Sequence, residues 1–152
     1  MKAEPMPGKA KTWFVVADAA HGRVFAQDGS GGAILPVPGL TFVHPVEKDS
    51  DLFTDRPSRS FDGGGRHSAE RHDRAGEHQR KFIETIAAPI QKGAASGAFT
   101  RLVLVCAPHT LGELRAALGP HSAKLVVREV DKDLAKLGDS ELAARLGALL
   151  AG

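Results

Sequence analysis

Five arginines, two histidines and three successive glycines gather in the stretch that runs from Arg56 to Arg74. A glycine run ahead of a helix can bind phosphate through backbone amides at the helix start. The run Gly63-Gly64-Gly65-Arg66-His67 lacks the Gly-Lys-Ser/Thr of a nucleotide P-loop, and no buried strand leads into it as in a dinucleotide fold. A nucleotide site is therefore not expected, and the rival reading is a flexible solvated turn. Arg56, Arg59, Arg66, Arg71 and Arg74 suit RNA phosphates, because guanidinium binds phosphate bidentately and arginines beside glycine approach a backbone closely. Asp55, Asp62, Glu70, Asp73 and Glu77 alternate with them, so a solvated helix laced with ion pairs remains the alternative.

Two other chemistries are weaker. His67, Glu70, His72, Asp73 and His78 lie near one another, but His67 to His72 is a step of five and His72 to His78 a step of six. Neither is the i, i+4 spacing that puts two metal ligands on one helical face, so no metal or other cofactor is expected. Cys106 and His109 at a strand end suggest a cysteine–histidine nucleophile, but no third residue to orient the histidine is evident. Cys106 reads instead as a buried strand residue.

The elements that must carry these residues follow from hydrophobic periodicity. Thr12 to Asp18 and Arg101 to Ala107 are near-continuous apolar runs, the mark of central strands buried on both faces. Arg23 to Asp28 and Leu125 to Val130 are further strands, and 33–37 and 40–45 are weaker ones. Pro36 and Pro38 confine the first of these two to an edge or to irregular structure. Phe82, Ile83, Ile86, Ala87 and Ile90 predict an amphipathic helix over roughly 69–92, with a wholly polar first half and a kink or early end at Pro89. Thr110 and Glu113 have capping-box spacing for a helix that Gly119-Pro120 should stop. Leu142, Leu146, Leu149 and Leu150 share one face of a final helix. The order predicts a single α/β domain with a mixed sheet of about five strands and helices on its faces. Residues 1–11 read as a flexible N-terminal arm, and about 45–68 as a long mobile loop.

Composition bounds the function. The 152 residues include 42% hydrophobic and 5% aromatic side chains, with no Tyr and one Trp. So few aromatics argue against a base-stacking platform for single strands. A net charge of +2 permits RNA contact without demanding it. One cysteine fits a reducing compartment, and no apolar run is long enough for membrane insertion. The first residues lack the apolar core of a signal peptide, so a cytoplasmic location is expected.

Several motifs, in order, resemble a known bacterial family. They are Thr12-Trp13 through Ala20, Asp55 to Phe61, Leu102 to Val105 with Ala107-Pro108 and Leu111 to Arg115, and Lys132-Asp133-Leu134. Together they look like the family called "protein required for attachment to host cells", a name that describes a phenotype. The segment Gly64-Gly65-Arg66-His67-Ser68-Ala69, followed by an Arg/His-rich helix, resembles the central domain of archaeal and eukaryotic class-I release factors and their bacterial relatives. In that domain a Gly-Gly-Gln loop precedes a long basic helix and enters the peptidyl-transferase centre. The resemblance implies association with the ribosome or tRNA, and in active versions hydrolysis of peptidyl-tRNA by a positioned water. Here the glutamine is absent, Gly65 or Arg66 standing in its place, and the chain has no room for codon-reading domains. His67 is then the candidate to place a water or act as general base. A non-enzymatic interaction protein with an indirect role in attachment is the alternative.

Overall fold

The structure, a computed structural model, describes residues 10–29, 31–44 and 65–151, with the backbone alone described for 65–75 and 150–151. Among these residues, β1 (Lys11–Ala17), β2 (His21–Asp28) and β3 (Leu35–Val43) precede a long helix, α1 (Gly65–Ser96). Then come β4 (Arg101–Cys106), α2 (Pro108–Ala123), β5 (Val126–Asp131) and α3 (Asp139–Ala151). The five strands form one mixed sheet in the order β3-β2-β1-β4-β5. β2 is antiparallel to both β1 and β3, whereas β1, β4 and β5 are mutually parallel.

The two central strands explain the core. In β1, Trp13, Val15 and Ala17 face the side covered by α1 and α2, and Phe14 and Val16 face the side covered by α3. In β4, Leu102, Leu104 and Cys106 join the first side, and Val103 and Val105 the second. A strand covered on both faces needs apolar residues without alternation, which is the pattern both segments carry. Leu142 and Leu146 of α3 are fully buried on the second side, with Leu149 packed against them. The side chain of Leu150 lies outside the described residues.

Four elements differ from expectation. In place of two strands at 33–37 and 40–45 there is one edge strand, β3, over Leu35–Val43, where Pro36 and Pro38 need no inner ladder bonds. α1 begins at Gly65 and ends at Ser96, beyond the predicted 69–92 at both ends. Nothing in Arg66 to Glu70 breaks a helix, and Gly65 to Ser68 belong to α1 rather than to the loop. Pro89 neither ends nor shortens α1. The carbonyl that loses its partner belongs to Thr85, which faces solvent, while buried Ile86, Ala87 and Ile90 hold the helix on the sheet. Thr110 is not the cap of α2: Ala107 is, in extended conformation with Pro108 after it, and no side chain caps the helix. Proline fixes the first helical position and holds the preceding residue extended, so the helix starts at Pro108, two residues before Thr110. Gly119, at φ 79°, breaks α2 as its sequence suggests, and a short turn from Pro120 follows.

α1 runs against the direction of β1. An added Cβ on Gly93 would lie 3.1 Å from Trp13 near the start of β1, and one on Gly22 would lie 2.6 Å from Ile86 near its end. Past the sheet's carboxyl edge, the Phe82 ring lies 5.0 Å from that of buried His44, and the His78 ring 6.3 Å from it. From Phe82 back to Gly65 the helix spans a further distance of about 25 Å.

Candidate functional site at the carboxyl edge of the sheet

The arginine-rich stretch is only partly placed. Arg56, Arg59, Gly63 and Gly64 lie outside the described residues, as do 1–9 of the N-terminal arm and 45–64 of the predicted loop. Gly65, Arg66, His67, Arg71 and Arg74 occupy the first three turns of α1, where the backbone alone is described. Farther along the same helix, Arg80 and Lys81 are exposed, and among the described side chains the first buried one is Phe82.

At the base of that polar segment lies a cleft of about 360 Å³, lined by Asp18, Ala19, Ala20, His21, Gln79, Ala107, His109, Thr110, Asp133 and Lys136. Its position follows from topology. Ala17 pairs with Cys106 across the parallel β1–β4 ladder, so the residues after both strands emerge side by side. Open α/β sheets bind ligands at such carboxyl ends. A larger hollow of about 530 Å³ lies at the opposite end, lined mostly by apolar residues and proline. Its two charged groups, Lys11 and Asp28, pair with each other at 3.4 Å, leaving little polar chemistry there.

Each polar group in the cleft has a local origin. Asp18 ends β1 and caps the hairpin to β2: its Oδ1 accepts the Ala20 and His21 amides at 2.8 and 2.7 Å and lies 3.2 Å from His21 Nδ1. All three contacts fall on Oδ1. Gln79 Nε2 donates to Glu113 Oε1 at 2.9 Å and so joins α1 to α2. Glu113 also faces His109 Nε2 at 3.5 Å. Lys136 sits on a turn held by Arg23, whose Nη2 donates to the Ala135 carbonyl at 2.7 Å while Nη1 donates to Asp139 Oδ1 at 2.8 Å.

Cys106 does not serve this cleft. It is fully buried among the residues under α1 and α2, and burial pushes its thiol up to about 12. Asp18, Glu129 and Asp133 raise it further by their charge, against one backbone hydrogen bond at Ala17 that lowers it. A thiol so protonated is no nucleophile at neutral pH, and exposed His109 instead faces Glu113. The cysteine–histidine reading is therefore wrong.

Asp18, His21, Gln79, Thr110, Asp133 and Lys136 form no catalytic or ligand-binding motif in sequence, and they converge only through the strand order. The one signal is positional: Asp18, His109-Thr110 and Asp133 each come just after a parallel strand.

The sequence pattern described as "protein required for attachment to host cells" matches residues 13–146, from β1 into α3. The chain belongs to this family. The match spans most of β1 and all of β2 to β5, so the cleft and the whole of α1 lie within the host-attachment family's shared region. No curated protein matches the chain. Among the described residues of this family member, no helix is long and apolar enough to cross a membrane.

Proposed function

We propose that this host-attachment family member acts in translation, as a factor whose arginine-rich loop and first turns of α1 engage ribosomal RNA or tRNA. One observation carries the reading. α1 is 32 residues long, yet among its described side chains, 76–96, the buried ones run only from Phe82 to Ala94. The preceding segment of about 25 Å, bearing Arg66, Arg71, Arg74 and Arg80, has no apolar stripe in its sequence with which to bind a core. Propensity alone holds such a segment weakly, and a phosphate backbone would provide the missing partner. The likeness of Gly64-Gly65-Arg66-His67 to the release-factor loop points the same way. On this reading the factor occupies idle or stalled ribosomes. Any hydrolysis of peptidyl-tRNA would rest on His67 as the group that positions water, since the usual glutamine is missing. Attachment to host cells then follows indirectly, through the translation state of the bacterium.

Fluorescence anisotropy with tRNA across a salt series tests this reading. Affinity should fall as salt rises, and Arg66→Ser with Arg71→Ser should reduce the logarithmic slope by about one for each phosphate that is no longer neutralised. A slope unchanged by the double substitution removes these arginines from the interface. Undiminished peptidyl-tRNA hydrolysis by His67→Ala protein would likewise end the role given to that histidine.

A further inference from the structure

The start of α2 opens into the carboxyl-edge cleft with donors that lack partners among the described residues. Ala107 offers no side-chain cap, and the first intrahelical bond runs from the Leu111 amide to the Ala107 carbonyl at 2.9 Å. The amides of His109 and Thr110 therefore have no acceptor among the described residues. A second observation is independent of the helix end. Thr110 is only 3% exposed and lines the cleft, and its hydroxyl has no hydrogen-bond partner among the described residues. A hydroxyl buried without a partner is costly, and such groups call for a ligand or a water. Lys136, in the same lining, is exposed and forms no ion pair among the described residues, while Arg23 fixes the turn that carries it.

Two amides, a hydroxyl and an ammonium make a donor set for a tetrahedral anion at a helix start. The same cleft presents carboxylates: Asp133, and Asp18 with Oδ2 outside its three contacts. These repel a bare anion and accept from hydroxyl groups, so the ligand must carry both functions. A volume of about 360 Å³ is at the small end of ligand clefts. We propose that this cleft binds the phosphate monoester of a small hydroxylated molecule, with the His109 and Thr110 amides, the Thr110 hydroxyl and Lys136 as donors. This site is separate from the RNA-facing turns of α1, and neither reading depends on the other.

The test is thermal unfolding and calorimetric titration of the full chain with inorganic phosphate and ribose 5-phosphate at constant ionic strength. Wild-type protein should gain Tm saturably with phosphate, as a ligand specific for the native state requires. Ribose 5-phosphate should bind more tightly than phosphate or ribose alone. Thr110→Val, near-isosteric, should weaken binding about tenfold, the effect of losing one hydrogen bond to a charged group. Without phosphate its Tm should equal or exceed the wild-type value, because the unpartnered hydroxyl is gone. Lys136→Gln should also weaken binding about tenfold and leave the phosphate-free Tm unchanged. The proposal is overturned by a wild-type protein that ignores phosphate, by unaltered affinity in the two variants, or by a lowered Tm of Thr110→Val without ligand. A 5′-phosphorylated oligonucleotide that binds more tightly than ribose 5-phosphate would overturn the small-molecule assignment.

Discussion

The two halves of α1 obey different physics. From Phe82 to Ala94 the helix is specified by packing: Phe82, Ile83, Ile86, Ala87 and Ile90 lie on the sheet, and Gly93 lets Trp13 and Phe99 come close. That half tolerates Pro89 because buried apolar area outweighs one lost hydrogen bond. From Gly65 to Lys81 the sequence carries no comparable apolar stripe, and composition alone favours the helix. The contrast separates a half whose residues answer to stability from a half whose residues are free to answer to a partner. Arg80 and Lys81, exposed on that half, should be replaceable at little cost to folding.

Substitutions can break or sharpen this contrast. The largest effect is expected from Ile86→Ala, which empties a fully buried site and should cost about 2–5 kcal/mol in urea unfolding. Arg80→Ala, on the exposed half, should stay within about 0.5 kcal/mol of wild type in the same assay. Comparable losses in both would mean that the polar half also supports the fold. Next is Gly22→Ala. Its Cβ would lie 2.6 Å from Ile86 Cδ1 and 3.2 Å from Cγ1, an overpacking expected to cost about 1–3 kcal/mol by the same measurement. A neutral result would show that α1 can shift on the sheet.

The smallest effect concerns pH and an element away from α1. Arg115 donates to Glu129 through Nε at 2.9 Å and Nη2 at 2.6 Å, and these hydrogen bonds hold the Glu129 carboxyl below its ordinary value of 4.5. A carboxylate with a lowered folded-state pKa adds stability above its unfolded value and loses it as pH falls through the folded one. Wild-type Tm should therefore decline slightly more than that of Arg115→Gln between neutral pH and strong acid. The pair is largely exposed, so the difference should be small. An identical decline in both proteins would show that the pair contributes nothing.

The sequence made the core plain and the cleft obscure, for reasons tied to particular residues. Runs such as Trp13 to Ala17 and Leu102 to Cys106 announce strands buried on both faces, and Pro36 and Pro38 announce an edge. Local rules failed where two of them competed. At the start of α2, Pro108 settles the helix boundary, and Thr110, whose type and spacing suit a cap, is a buried residue whose hydroxyl has no partner among the described residues. Asp18, Thr110 and Lys136 meet only because β1 and β4 are neighbours and Arg23 holds the 135–137 turn, facts of pairing that no local pattern carries. The helix start at Gly65 is illegible in the sequence because a polar segment has no hydrophobic period to read.

Ribosome co-sedimentation in low salt tests the central claim most directly. The wild-type chain should pellet with ribosomes in low salt and be released as salt rises, while protein carrying Arg66→Ser and Arg71→Ser, folded to the same Tm, should stay largely in the supernatant. Wild-type protein that fails to pellet at any salt concentration, or a double variant that pellets equally well, would contradict it.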